Sequence, residues 1–370
     1  MIASTSEITP LTVDDGRAVI AFLRHHYGDA YYGAAEPHFR WLYELSPCRW
    51  FQPLRDAGRL PGNAIISKDG ELLGVHLYLP FDAKTPWGGT KGIFDEEWIN
   101  DGTIRGGGRA LASRLLQDVD VYCGLGCNSK SKEAFVKMGL SFFEEIPRLA
   151  TVLDRESLAS LLDLSGFADA AAKLPRQEHS DAAWYLLESC GAIPDHVLES
   201  HFAVMSFGAP HDRARLEWRF DQHPAISYSV VASDPDGADG AAIVRVETAE
   251  GTTFRVARVV DMLGSQDAAG RIMASAAGFA LAQGCIALDF MTSSATVAEM
   301  TRRAAAEAGL MLELNPPVPY MYQPCTIGEK RNVNMVLWTS QETDLDQFAI
   351  VKSDSTQDVV RTSQTAANPR

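Results

Sequence analysis

Apolar and polar residues follow two periods along the first part of the chain, and these periods predict alternating strands and helices. Residues 8–28 predict a short strand and then a helix with apolar side chains at helical spacing. Residues 63–79 predict a β-hairpin, because two alternating runs flank an Asp-Gly turn. Residues 91–110 begin as an apolar, aromatic strand and end in three glycines ahead of a helix. These patterns indicate a mixed α/β (α+β) fold.

The same alternation continues after the glycines. Residues 119–125 predict a buried strand and 133–138 a helix. Residues 140–143 and 149–153 predict two strands that close the first sheet. Residues 157–198 are rich in apolar side chains, including the run DAAWYLLESCGA, and predict a mainly helical connector.

Landmarks of the first half recur in the second half, which indicates an internal repeat. The matching intervals are six residues for Trp41 to Pro47 and Trp218 to Pro224, and 21 residues for Gly74 to Asp95 and Gly240 to Asp261. We therefore predict two domains of one fold. The first would span residues 1–155, the connector 156–200 and the second domain 201–350. The polar tail, 351–370, is predicted to be flexible.

Composition and charge exclude several classes of protein. The net charge of −15, with no basic stretch, argues against a nucleic-acid partner. The six cysteines form no CxxC pair and have no histidines at zinc spacing, so we expect no metal and a reducing compartment. No signal peptide or membrane-length apolar run is evident, so we expect a cytoplasmic protein, a monomer or homodimer, without a membrane partner.

The glycine run is the clearest candidate for chemistry. Glycines before a helix leave successive backbone N–H groups unshielded, and the helix dipole favours an anion at the same point. The run is flanked by Arg105 and Arg109, so a phosphate or pyrophosphate site is predicted despite the acidic balance of the chain. The second half has Arg271-Ile272-Met273-Ala274 at the corresponding place, where side chains would shield the amides.

The order and spacing of these residues resemble the acyltransferases of the GNAT family. Arg105, Gly108 and Ala110 fit the family's pyrophosphate loop, Arg-x-x-Gly-x-Gly/Ala. A second motif of the family is matched further along the chain by Asn128, Phe135, Gly139 and Leu140. The resemblance implies two GNAT-like domains in tandem, each with a mixed, mostly antiparallel central sheet flanked by helices. The second domain has lost the cofactor signature.

The resemblance also implies acyl-CoA as co-substrate. The pyrophosphate would lie on Arg105, Gly106, Gly107, Gly108, Arg109 and Ala110. The pantetheine arm would bind backbone groups of Trp98, Ile99 and Asn100 where two central strands separate, and the side chain of Asn128. An N–H group of the same strand would hold the oxyanion.

Asp95 is our candidate for the general base that removes a proton from the accepting amine. It lies on the strand that precedes the glycine loop, and a merely structural role in the sheet is the alternative. Glu97 is the second candidate, because strict alternation would put it on the same face as Asp95. The tyrosine that many GNAT enzymes use as general acid is replaced by Phe135.

The length, the tandem halves and the ending at residues 338–346 resemble bacterial N-acyltransferases that modify nucleotide-linked amino sugars. That resemblance implies a sugar acceptor, attached for example to dTDP, and a role in O-antigen or lipopolysaccharide biosynthesis. Tyr320, Tyr322 and Trp338 could stack on the base of the nucleotide, although each could equally be a core residue. Two alternatives stay open: a Fem-like aminoacyl or peptidyl transferase, and a non-catalytic acyl-CoA-binding protein.

Overall fold

The computed structural model describes residues 6–102, 104–163, 175, 177, 182–204, 207–249, 251–316, 333–351 and 354. The described residues form two compact units. The first contains the chain up to Glu144 together with Asn334–Leu345, and the second contains Glu145–Val333 and the chain from Asp346. The predicted tail, 351–370, lies outside the described residues except for Val351 and Asp354.

The first unit is a sheet with helices, built largely as the periodicity predicts. Its strands are β1 (Ser6–Thr12), β2 (Arg59–Ser67), β3 (Leu72–Thr85), β4 (Gly88–Asn100), β5 (Val121–Leu125), β6 (Ser141–Phe143) and β15 (Met335–Thr339). Its α-helices are α1 (Gly16–Tyr27), α2 (Glu36–Phe39), α3 (Gln52–Asp56), α4 (Gly107–Leu115) and α5 (Ser129–Lys137), with 3₁₀ turns at Val13–Asp15 and Tyr32–Ala34.

The strands of the first unit lie in the order β1-β2-β3-β4-β5-β15-β6. All neighbouring strands are antiparallel except β4 and β5, which are parallel. A buried cluster that includes Ile93, Leu115, Tyr122, Phe135 and Val336 packs around the central strands. The parallel pair is therefore central in the sheet.

The second unit repeats this plan. Its strands are β7 (Arg148–Val152), β8 (Tyr185–Leu187), β9 (Phe207–Gly208), β10 (Ser229–Ala232), β11 (Gly240–Thr248), β12 (Arg255–Gly264), β13 (Cys285–Met291), β14 (Glu313–Leu314) and β16 (Phe348–Ala349). Its α-helices are α6 (Arg155–Asp163), α7 (Asp195–Val204), α8 (Arg213–Leu216), α9 (Ala269–Ala282) and α10 (Ala295–Glu307). Short 3₁₀ turns lie at Cys190–Ala192 and Gln266–Ala268, and another at Leu345–Gln347 is divided between the two units.

The main sheet of the second unit has the order β14-β7-β13-β12-β11-β10-β8, again with one parallel pair, β12 and β13. Strand β16 pairs separately with β9. A large buried cluster includes most of the apolar residues of α9, such as Ile272, Met273 and Phe279. Each unit therefore has its own core.

We expected the strand at residues 149–153 to close the first sheet, but it does not. It forms β7, which pairs with β13 in the second unit, while β15 from the C-terminal part of the chain pairs with β5 and β6. Periodicity shows that a strand is apolar on both faces, but any exposed sheet edge can accept such a strand. Only tertiary pairing therefore decided that β7 joins the second sheet and β15 the first.

In its described residues, the segment 156–200 also differs from the helical connector that we predicted. Residues 164–174, 176 and 178–181 of this prediction lie outside the described residues. It contains α6 and most of α7, but Tyr185–Leu187 is a strand that pairs with β10. Trp184 packs on Phe279 of α9, with ring centroids 5.5 Å apart. Pairing with β10 satisfies backbone groups at the edge of that sheet, which outweighs the helical tendency of so short a run.

The internal repeat is visible in local detail. In both units a short helix, α2 or α8, continues into a π-helical turn, Arg40–Glu44 or Glu217–Asp221. These turns carry the two tryptophans that the sequence comparison matched, and both are buried. No helix among the described residues is long and apolar enough to cross a membrane.

The register of the repeat is shifted by two residues from the one that the intervals suggested. Gly74 pairs with Asn100, and Gly240 pairs with Gly264. Counting back five positions from these partners leads to Asp95 in the first unit and Val259 in the second. The structural counterpart of Asp261 is therefore Glu97, because the hairpin of the first unit is two residues longer.

Candidate functional site

The two parallel strands of the first unit separate next to Asp95. Pairing between β4 and β5 runs from Gly92 with Val121 to Asp95 with Gly124. Strand β4 then continues to Asn100, and in the described structure no further pair joins it to β5. Successive residues of a strand direct their N–H and C=O groups to opposite sides, and Asp101 N donates to Leu73 O of β3. By this alternation the backbone groups of Trp98 and Asn100 face the opening, whereas those of Ile99 face Val75 of β3.

A β-bulge follows Asp95 and changes which side chains share a face. Asp95 pairs with Tyr78 and Glu97 with Leu77, so Glu96 is the extra residue. His76 pairs with Trp98 and also contacts Asp95, which puts Asp95 and Trp98 on one face of the sheet.

Glu97 lies on the opposite face, where its carboxylate accepts a hydrogen bond from the hydroxyl of Tyr31. The expectation that Asp95 and Glu97 share a face is therefore wrong. It assumed strict alternation, which the extra residue in the bulge interrupts.

Asp95 is held in a largely buried position. His76 Nε2 lies 2.7 Å from Asp95 Oδ1, with the His76 side chain 0% and the Asp95 side chain 11% exposed. Gly124 allows this approach, because a Cβ there would lie 3.0 Å from Val336 Cγ2 and 3.3 Å from Asp95 Cβ. The surrounding chain therefore leaves the carboxylate few positions to adopt.

Neighbouring groups respond to the charge of this carboxylate. Burial, together with Asp95, raises the pKa of Tyr122 well above its usual value. Burial and Asp95 also raise the pKa of the Cys127 thiol to about 12. Both groups are therefore neutral at physiological pH.

Aromatic side chains pack on the same face. The ring of Phe135 lies 4.6 Å from Trp98 and 5.6 Å from Tyr122 between centroids, and it is fully buried. Phe135 thus fills the core between α5 and the sheet. A hydroxyl group at this position is absent, as the sequence shows.

The glycine loop follows β4, and each of its three glycines is required for a different physical reason. Gly106 has φ +82°, a conformation that residues with a Cβ rarely adopt. At Gly107 a Cβ would lie 2.8 Å from Ile65 Cδ1, and at Gly108 it would lie 3.1 Å from Trp98 Nε1. The glycines therefore let the first turn of α4 pack closely against the sheet.

The start of α4 retains N–H groups without acceptors in the helix. The N–H of Gly107 donates to Ile104 and that of Ala110 to Gly106. The N–H groups of Gly108 and Arg109 lie between them in the first turn, where an α-helix offers no acceptor. The Arg105 and Arg109 side chains are exposed, and neither forms an ion pair with another described residue. This end of the helix is suited to an anion.

Two side chains of β4 fasten the loop. Trp98 Nε1 donates to the carbonyl of Gly108 at 2.9 Å, and Asn100 Nδ2 donates to that of Ile104 at 2.9 Å. Asn128 is the N-cap of α5, and its Oδ1 accepts from Ser131 N at 2.9 Å. The predicted cofactor-binding residues thus include three side chains that also shape the local backbone.

The predicted acceptor-side residues are described only in part. Trp338 lies on β15, where it pairs with Tyr122 of β5 and is half-buried. Tyr320 and Tyr322 lie outside the described residues. Among the described residues, no group of histidine, cysteine and carboxylate side chains could hold a metal ion.

His76 is a residue near Asp95 that the sequence alone does not single out. Its own strand reads as an ordinary alternating segment, in which a packed histidine is the simpler interpretation. The useful signal lies across the hairpin, since His76 faces the strand that carries the carboxylates. The bulge brings Asp95 within its reach.

Comparison with known proteins identifies solved structures of similar fold. No family model and no curated protein matches the sequence. An Enterococcus faecalis V583 protein described as a probable N-acyltransferase has a similar structure, with a TM-score of 0.55, 10% identity, and coverage of 91% of this chain and 73% of that chain. A GCN5-related N-acetyltransferase from Anabaena variabilis has a TM-score of 0.55, 9% identity and the same coverage, 91% and 73%.

N-myristoyltransferase of Saccharomyces cerevisiae, with bound myristoyl-CoA, is also similar. Its TM-score is 0.50 at 11% identity, and the match covers 94% of this chain and 84% of that chain. Structural similarity at 9–11% sequence identity establishes the fold alone. It confirms the predicted fold class, a GNAT-like α/β architecture that extends over most of the chain.

Proposed function

We propose that this chain is an acyl-CoA-dependent N-acyltransferase. The observation that carries the proposal is the opening between β4 and β5, which lies beside Asp95 and leads along β4 to the glycine loop. A thioester cofactor needs an anion site, an extended groove with backbone partners, and a base near its reactive end. The first unit has candidates for all three on one strand and the helix that follows it.

Coenzyme A fits the residues present. Its pyrophosphate would bind the N–H groups of Gly108 and Arg109 and the side chains of Arg105 and Arg109. The pantetheine arm would pair with the backbone of Trp98 and Asn100, the two predicted residues whose backbone groups face the opening. The similar yeast N-myristoyltransferase was solved with myristoyl-CoA, which supports an acyl-CoA as the ligand of this fold.

The chemistry proceeds by attack of an amine on the thioester. The amine nitrogen forms a bond to the carbonyl carbon and transfers a proton to Asp95. A backbone N–H of β4 stabilises the oxyanion, and the carbon–sulfur bond then breaks. The thiolate leaves without a tyrosine acid and takes up a proton from Asp95 or solvent. The mechanism therefore needs no hydroxyl group at the position of Phe135. The products are an amide and the free thiol.

For the acceptor we propose a nucleotide-linked amino sugar, with dTDP as the first nucleotide to examine. The resemblance of residues 338–346 to sugar N-acyltransferases supports this choice, and Trp338 remains a candidate contact for the base. A role in surface polysaccharide biosynthesis would follow from such a substrate.

The test is acyl transfer by the purified full chain. Acetyl-CoA and longer acyl-CoAs are offered with a panel of nucleotide-linked amino sugars, and free thiol and acylated sugar are measured. We expect thiol release that requires the amine. Coenzyme binding without transfer to any amine would favour a binding protein, and transfer from aminoacyl-tRNA would favour the Fem-like alternative.

Removing both loop arginines should weaken coenzyme binding. In the Arg105→Ala, Arg109→Ala double variant we expect the Kd for coenzyme A to rise about 10- to 100-fold, since each charged contact to phosphate contributes roughly 1 kcal/mol. The matched control is Arg114→Ala, which removes an arginine from the last turn of the same helix. Calorimetry that shows equal affinity for both variants would refute the proposed pyrophosphate site.

A further inference from the structure

The contact between His76 and Asp95 defines one orientation of the carboxylate. His76 Nε2 lies 2.7 Å from Asp95 Oδ1, and the imidazole is completely buried. Its ring lies between Trp98, 6.0 Å away and nearly parallel, and Tyr122, 6.2 Å away and edge-on. Such packing leaves the imidazole little freedom to rotate, so the hydrogen bond has a fixed direction.

The second nitrogen of the ring decides how His76 can act. In the described part of the chain, the buried Nδ1 of His76 has no hydrogen-bond partner. A carboxylate oxygen only accepts, so the hydrogen bond to Asp95 needs a hydrogen on Nε2. Nδ1 meets no group among the described residues that could take a proton onward. The geometry therefore favours an imidazole that donates one hydrogen bond through Nε2.

We propose that His76 is the positioning residue of the reaction, resting on the function proposed above. It fixes Oδ1 of Asp95 through Nε2–H and leaves Oδ2 as the oxygen that takes the proton from the amine. Oδ2 lies on the side of Gly124, 3.5 Å from where a Cβ of that residue would be. Gly124 is the last paired position of β5 before the strands separate, so Oδ2 lies near the start of the opening.

The proposal distinguishes positioning from proton relay. A relay needs a titrating imidazole, whereas positioning needs only a donor at the ε position. Glutamine can supply an N–H near the place of Nε2, but it does not titrate. Leucine has a similar volume and supplies neither. The titratable groups that interact with Asp95 include Tyr122, Cys127 and Tyr43, and both variants retain them.

The first measurement compares His76→Gln with His76→Leu in the full chain. We expect His76→Gln to keep kcat within about fivefold of the unmodified chain. His76→Leu should lose about 10- to 100-fold in kcat, the effect of a misplaced catalytic group, with unchanged KM for acyl-CoA. The pH profile of kcat for His76→Gln should have the same shape as that of the unmodified chain. Equal losses in both variants, or a pH limb missing from His76→Gln, would overturn the proposal.

The second measurement does not depend on turnover. The nine histidines are labelled with ¹⁵N, and the His76 resonances are assigned by their absence in His76→Gln. We expect hydrogen on Nε2, and a shift of that resonance in Asp95→Ala. Hydrogen on Nδ1 alone would contradict the proposal. If no amine is acylated, the proposed function fails, while this spectrum still decides the orientation.

Discussion

The Asp95→Asn variant should bind coenzyme A normally and lose nearly all acyl transfer. We expect kcat to fall about 10²- to 10⁴-fold, the usual contribution of a general base. Asparagine keeps the volume of the side chain and can still accept a hydrogen bond from His76 through its oxygen. It cannot take a proton from the amine, so the loss should appear in the chemical step.

Glu97→Gln is the matched control for this experiment. Glu97 is two residues away on the same strand, carries the same charge and was our second candidate for the base, but it faces the opposite side of the sheet. We expect a loss of less than about tenfold. Kinetics with a fixed acyl-CoA and calorimetry with coenzyme A separate turnover from binding. Full activity in Asp95→Asn with a large loss in Glu97→Gln would exchange the two roles.

The His211→Phe variant should destabilise the second unit. His211 is buried between two carboxylates, with Nδ1 2.8 Å from Asp261 and Nε2 2.7 Å from Asp354. Arg215 lies 3.1 Å from the same Asp354. Removing the imidazolium leaves buried carboxylates without their shared partner, so we expect the free energy of unfolding to fall by about 3–5 kcal/mol at pH 7.

The pH dependence of this loss has a defined sign. Burial by itself would lower the pKa of His211, but Asp261 and Asp354 raise it from 6.5 to about 10. A raised pKa contributes stability that is complete below the unfolded value of 6.5 and disappears as pH rises through 10. The difference between the unmodified chain and His211→Phe should therefore shrink between pH 7 and pH 10.

Acidic pH brings opposing contributions, so the comparison is best made above pH 7. Asp354 would have its pKa raised by burial, but His211 and Arg215 lower it, and its contribution is lost as pH falls through that lowered pKa. Burial and the charge of His211 lower the pKa of His201 to about 4, which opposes folding below pH 6.5. Urea unfolding measures the difference, with the exposed His196→Phe as control. A constant difference from pH 7 to pH 10 would refute the charge assignment.

The β-bulge shows how one residue limits sequence reasoning. The cluster Asp95, Glu96 and Glu97 was correctly placed on a strand, but its faces were assigned by simple alternation. The extra residue at Glu96 moves Trp98 onto the face of Asp95 and Glu97 away from it. No local signal marks a bulge in a run of similar carboxylates, because a bulge is defined only by the strand that pairs with it.

The sequence by itself determined the elements that depend on local chemistry. Periodicity predicted most strands and helices, the glycines predicted a turn before a helix, and equal intervals predicted a repeated fold, since these features are properties of neighbouring residues. Only the tertiary structure decided which sheet received β7 and β15, the register of the two halves, and the contact of His76 with Asp95. Strand pairing joins residues far apart in the chain, and its geometry depends on both partners, so one strand read alone cannot specify it.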